Sequence, residues 1–224
     1  MELQQLLELD SAPIGIRFTD TPTYPQFDAP MSDLTEDGRS GTVAASCVFW
    51  IQNGSFSTTA ADHGNCSVGK YVHGFAEASD VIEKSDVSAL LDVGWVTETA
   101  FAGVAKTNKK APFVEYAPAA DMPEPDILLI RLNAKQMMQL GDAVDGLSVS
   151  GKPQCQIIPL AREHGLVTAS FGCALSRERT GMNETELTCA IPANQVATIV
   201  ANLRQVTGAD TAVRSYAQAD ATRF

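Results

Sequence analysis

The densest run of residues able to do chemistry is DHGNCSVGKYVHGF, residues 62–75. Three sites can be written on it. Gly64, Gly69 and Lys70 spell G-x-x-x-x-G-K, most of a phosphate-binding loop; His63 and Cys66 spell H-x-x-C, a metal corner; and Cys66 alone, among glycines, could be a reactive thiol. A phosphate loop needs a small hydroxyl after the lysine to hold magnesium and an apolar strand running into its first glycine. Tyr71 fills the hydroxyl position, and the preceding SFSTTAAD is polar, with Asp62 close to where a phosphate would sit. The glycines therefore call for another reason, such as close approach of the backbone to something bulky. A thiol nucleophile at Cys66 would need a base from His63, His73 or His164, none of which the spacing fixes.

The remaining cysteines favour the metal reading. Of the five, Cys47 and Cys66 have 18 residues between them, and Cys155 and Cys173 have 17. Each pair contains a glycine (Gly54, Gly165), a short strand-like segment (SFSTT, LVTASF) and a cysteine in a glycine-containing loop (GNCSVG, FGCALS). The parallel suggests two related halves, 1–112 and 113–224, as from an internal duplication, forming one compact unit. A pseudo-twofold axis between them would gather four thiols. Four thiolates suit a cluster of the 4Fe-4S kind, with one outer ligand per iron, or a structural zinc. Close C-x-x-C pairs are missing, and Cys47 in AASCVFW also reads as a core cysteine. Around this set, His63, Gly64, Gly69, Gly172 and Arg177 are candidates for a supporting shell. The arginine charge there would favour thiolate, unless Arg177 and Arg179 simply pair with Glu178 and Glu184.

The elements that must position these residues read as α+β or α/β. ELQQLLEL has helical spacing and PIGIRF is a short strand; Pro22, Pro25 and Pro30 make residues 19–40 a loop. GTVAASCVFWIQNG reads as a buried helix stopped at Asn53-Gly54, SFSTT as a strand, with a short helix from about Ser67 and another over DVSALLDVGW. In the second half FVEYA and DILLIRL are strands, Asn133 caps the helix AKQMMQLGDAV, and Met137 and Met138 read as core. LVTASF and LTCAIP are strands enclosing a loop, GCALSRERTGMNETEL, with at most a helical turn, and ANQVATIVANLRQV is a closing amphipathic helix.

Composition narrows the function classes. The 224 residues, 45% hydrophobic, can bury a full core. A net charge of −11 argues against nucleic acid or an anionic membrane as partner. The N-terminal MELQQLLELD has no basic region, no apolar run spans a bilayer, and an odd cysteine count suits reduced thiols, so a cytoplasmic protein is expected.

The segment FGCALSRERTGMNETELTCAIP, with Gly172, Cys173, Arg177, Gly181 and Glu186-Leu187, resembles the closing motif of the bacterial and archaeal family called domain of unknown function 169. PIGIRF, Cys47, Cys66 before a glycine, PDILLIRLNAKQMMQL and Cys155 follow in the family's order, over about residues 5–205. The family brings no reaction. The resemblance implies that Cys47, Cys66, Cys155 and Cys173 are family features and that Cys189, in LTCAIP, is incidental. The expectation is an iron–sulfur protein in redox, electron transfer or sensing, with a redox partner protein. The alternatives are a zinc-stabilised or metal-free small-molecule-binding module, and a cysteine-thiol-dependent enzyme.

Overall fold

The structure, a computed structural model, describes residues 1–28, 43–82 and 85–223. Its frame is a seven-stranded mixed sheet in the order β2-β3-β1-β4-β7-β6-β5. The strands are β1 (Ile14–Thr19), β2 (Phe56–Thr58), β3 (Phe113–Pro118), β4 (Ile127–Leu132), β5 (Ser148–Ser150), β6 (Thr168–Ser170) and β7 (Leu187–Pro192). All pairings are antiparallel except β5 with β6. The central strand β4 is apolar on both faces, as DILLIRL requires. Ile127 and Leu129 enter one core and Leu128, Ile130 and Leu132 the other, so alternation along a single strand separates two layers.

The second layer is closed by α1 (Glu2–Leu6), α6 (Ala134–Ala143) and α9 (Val196–Ala221), through Leu3, Leu140, Ile199 and Leu203. The first layer holds α2 (Ser67–Val72), α3 (Ala78–Ile82), α4 (Ser85–Asp92), α5 (Glu98–Ala102) and α7 (Ile157–His164), together with a 3₁₀ turn over Ser46–Ile51. A shorter 3₁₀ turn, Gln154–Gln156, leads into α7, and α8 (Ala174–Thr180) packs against the first turn.

The strand order carries a symmetry. Read outward from the antiparallel β1–β4 pair, one side runs β1, β3, β2 and the other β4, β7, β6. A cysteine-bearing 3₁₀ turn precedes and a cysteine-capped helix follows β2 on one side and β6 on the other, while β5, beyond β6 at the edge, has no counterpart. The correspondence is one of topology and does not itself establish duplication.

Several expectations change. The buried helix expected over residues 41–54 is a 3₁₀ turn at Ser46–Ile51; its first residues, 41 and 42, and most of the expected 19–40 loop lie outside the described residues. The stretch read as a loop with at most a helical turn, residues 172–187, contains a true helix, α8. β3, the first strand of the expected second half, pairs with β1 and β2 of the first. Met137 packs against the second core, but Met138 is 53% exposed. LVTASF narrows to Thr168–Ser170, and β5 has no counterpart in the sequence reading.

Candidate functional site

Cys66 is the N-cap residue of α2, and its Sγ accepts the Gly69 N–H at 3.5 Å. Cys173 is the N-cap of α8 in the same way: its Sγ accepts from Ser176 N at 3.4 Å while Ser176 Oγ accepts the Cys173 N–H at 2.9 Å, a reciprocal capping box. Cys47 lies on the first 3₁₀ turn and Cys155 on the second. All four face one cavity of about 30 Å³, the space of one or two waters. Its apolar walls include Val68, Leu90, Trp95, Pro153 and Leu175. Cys189 lies across the sheet, buried in the second core.

Cys47 and Cys155 are buried, whereas Cys66 and Cys173 are half-buried. Burial pushes the Cys47 thiol up to about 12, and charge on Cys66 and Cys173 pushes the same way, while the Arg179 guanidinium pulls it down. Cys155 is likewise raised by burial and then by charge on Cys66, Cys47 and Cys173. Cys155 thus feels the other three thiols and Cys47 feels Cys66 and Cys173, and the bare protein holds Cys47 and Cys155 protonated. Among the described residues no three His, Cys, Asp or Glu side chains close on a point that would hold a single metal ion. The thiols surround a space rather than a point.

Gly69 carries no Cβ because one would stand 2.8 Å from Ser46 Oγ, which brings α2 hard against the Cys47 turn. At Gly64 a Cβ would stand 2.6 Å from Val43 Cγ1, so the loop before Cys66 lies on the chain that leads to Ser46. These close approaches account for the glycines of the opening run. Gly69 and Lys70 also sit inside a helix that has already begun at Ser67, which removes the phosphate loop.

The histidines are structural. Thr58 Oγ1 donates to the Val114 carbonyl at 3.0 Å, so it accepts from His63 Nε2 at 2.9 Å. His63 Nδ1 then accepts the Ser46 hydroxyl at 2.7 Å, and both ring nitrogens are engaged away from Cys66. His63 is held neutral by burial first and by the charges of His73 and Lys70. His73 Nδ1 donates to the Gly69 carbonyl at 2.9 Å, and burial pulls its pKa down to about 4. His164 is exposed at the end of α7. No histidine stands as base to Cys66, although His63 orients Ser46 beside Cys47.

Of the two arginines, Arg177 is spent on its own loop. Its guanidinium donates to the carbonyls of Phe171, Asn183 and Glu186, and Gly172, at φ +85°, leaves room for it. Among the described residues Arg179 is the one charged side chain on the cavity wall, and its Nη2 reaches the Asn65 carbonyl at 3.3 Å. The sequence reading gave the supporting role to Arg177, four residues after Cys173 and so on its face by helical period; Arg179 instead shares the cavity with Leu175 and Ser176, four and three residues before it.

Sequence reading also missed Gln154 and Ser176. Gln154 lines the cavity, its Nε2 donates to Thr188 Oγ1 at 2.7 Å, and its Oε1, fully buried, has no hydrogen-bond partner among the described residues. The residues before Cys155 and three after Cys173 were the signals available.

A seven-stranded α+β fold with a four-cysteine cavity on one face of its sheet thus defines the class of protein. The chain belongs to the domain of unknown function 169 family, described as uncharacterised ArCR, whose family model matches residues 2–202. No curated protein and no solved structure matches it. No helix among the described residues is long and apolar enough to cross a membrane.

Proposed function

We propose that the protein binds an iron–sulfur cluster of the four-iron kind through Cys47, Cys66, Cys155 and Cys173, in a redox, electron-transfer or sensing role. The observation that supports this reading is the partition of the cysteines: four, two from each side of the β1–β4 seam, face one cavity on one face of the sheet, and the fifth faces the opposite core. The donor set fits in kind and number, since each iron of such a cluster takes one thiolate. When bound, the cluster supplies reversible one-electron chemistry. The chain's part is to exclude water with Val68, Trp95 and Leu175, to offset negative charge with Arg179, and to direct the Gly69 and Ser176 amides at sulfur.

A four-iron core is larger than the 30 Å³ cavity, so loading must part its walls. Cytoplasmic residence and a protein redox partner belong to the same reading.

The test is anaerobic reconstitution with ferrous iron and sulfide. Broad absorbance near about 400 nm, with iron and sulfide retained through gel filtration, is expected. Cys47→Ser, Cys66→Ser, Cys155→Ser and Cys173→Ser should each lose metal and Cys189→Ser should keep it. Equal metal content in all five variants would sink the proposal, and a colourless protein with stoichiometric zinc would replace it with a structural zinc site.

A further inference from the structure

The four thiols around the cavity differ in exposure. Cys47 and Cys155, on the two 3₁₀ turns, are 8% and 7% exposed, whereas Cys66 and Cys173, the N-caps of α2 and α8, are half-buried. The inner pair is also kept protonated by burial, and a protonated thiol is a poor nucleophile. An oxidant entering from solvent therefore meets the outer pair first. Geometry sets that pair close together. Both side chains line a space of about 30 Å³, so the gap between opposite walls is of the order of one or two waters. The elements that carry them touch as well: Arg179 of α8 donates to the carbonyl of Asn65, the residue before Cys66, at 3.3 Å. Each sulfur also accepts an amide of its own helix, from Gly69 at 3.5 Å and from Ser176 at 3.4 Å, which fixes both at helix starts rather than on loose loops.

We propose that Cys66 and Cys173 are an oxidative modification site, joined as a disulfide when the metal-free protein meets a hydroperoxide. One of the two, as thiolate, attacks the outer oxygen of the peroxide and becomes a sulfenic acid while the alcohol leaves; the other then attacks that sulfur and expels hydroxide, which departs as water. Two thiols and one hydroperoxide give one disulfide, one alcohol and one water, and the two electrons lost by sulfur reduce the O–O bond. A disulfide asks for Cα atoms about 4.4–6.8 Å apart, a span that matches helix starts facing each other over so small a space. The bond withdraws two of the four thiolates and bars the site to metal, so the outer pair acts as an oxidation-sensitive lock. The barring rests on the iron–sulfur reading; the bond itself does not.

The full chain, purified metal-free and reduced, is treated with hydrogen peroxide, denatured, and its thiols are titrated. It has five cysteines, so the count should fall from five to three, return to five with a thiol reductant, and peptide mass mapping should place the bond between Cys66 and Cys173. Cys66→Ser and Cys173→Ser should each form no bond within the chain and should carry a dimedone-trapped sulfenic acid on the outer cysteine that remains. Serine is itself a favoured N-cap, so both variants keep their helices. Cys47→Ser and Cys189→Ser should oxidise as the parent does. Iron and sulfide should load the reduced chain and not the oxidised one. A bond joining any other two cysteines, a count of five under excess peroxide, or equal iron uptake by the oxidised and reduced chains would overturn the proposal. A Cys66–Cys173 bond in a chain whose reduced form never takes up iron upholds the bond and sinks the cluster reading alone.

Discussion

His73 sits fully buried as a neutral base, and its proton affinity gives the fold a pH dependence with a definite sign. Burial lowers its pKa from about 6.5 to about 4, so between those values the unfolded chain binds a proton that the folded chain refuses. The stability this imidazole contributes is whole above about pH 6.5 and drains as pH falls toward 4, by roughly 3 kcal/mol at the bottom of that window. Urea unfolding should therefore show a lower free energy at pH 5 than at pH 7, and the difference should shrink in His73→Gln. An identical midpoint at both pH values would contradict the assignment. Gly69 makes a steric prediction on the same helix. A Cβ there meets Ser46 Oγ at 2.8 Å and Ser46 Cβ at 3.3 Å, and His63 holds that hydroxyl in place. Gly69→Ala should cost about 1–3 kcal/mol through overpacking and shift the Cys47 turn. Lys70 makes a negative one: magnesium-ATP should produce no micromolar binding heat, since the helix begins before the lysine's own glycine.

Among the elements, α6 shows what the sequence could announce and α8 what it concealed. Asn133 Oδ1 accepts the Gln136 N–H at 3.0 Å and Gln136 Oε1 accepts the Asn133 N–H at 2.7 Å, so the asparagine read as a cap is one half of a capping box. Asn133→Ala should lower the denaturation free energy by about 1 kcal/mol, measurable by urea titration. α8 is capped just as fully, but by a thiol, which is not among the side chains that signal a helix start. Its left-handed stop at Gly181 then looked like loop punctuation. The strand DILLIRL was legible because continuous apolarity survives burial on both faces; SCVFW was not, because a turn buried on nearly every side loses the helical period that would name it. The same limit hid the cavity's second ring. Cysteine spacing identified the four thiols, yet Gln154, Ser176 and Arg179 reach the cavity only through tertiary packing. Beyond the sheet, α9 runs on to Ala221 with residues 211–223 exposed. Deleting residues 212–224 should change the unfolding free energy by no more than about 0.5 kcal/mol, the size of an ordinary surface change.

At the scale of the whole molecule, the cavity draws its thiols from both sides of the β1–β4 seam, so whatever occupies it is linked to folding of the entire sheet. Proton linkage gives that coupling two opposite signs. In the metal-free protein Cys47 and Cys155 are raised above the ordinary thiol value of about 9, chiefly by burial. The folded form keeps protons that the unfolded form releases, so stability is whole below about pH 9 and is lost as pH climbs toward 12. A loaded cavity holds thiolates instead, and each must shed its proton before binding; acid then competes with metal, and retention should improve as pH rises toward 9. The expected outcome is a crossing. Melting of the metal-free chain should worsen between pH 8 and pH 10, whereas iron retention in the reconstituted chain should fall between pH 8 and pH 6, and Cys189→Ser should reproduce both trends. Cys189 is also raised by burial, but it stands in the opposite core, where it touches only the alkaline limb. Parallel pH trends in the two forms would mean that the four thiols bind no metal as thiolates, whatever the colour of the protein.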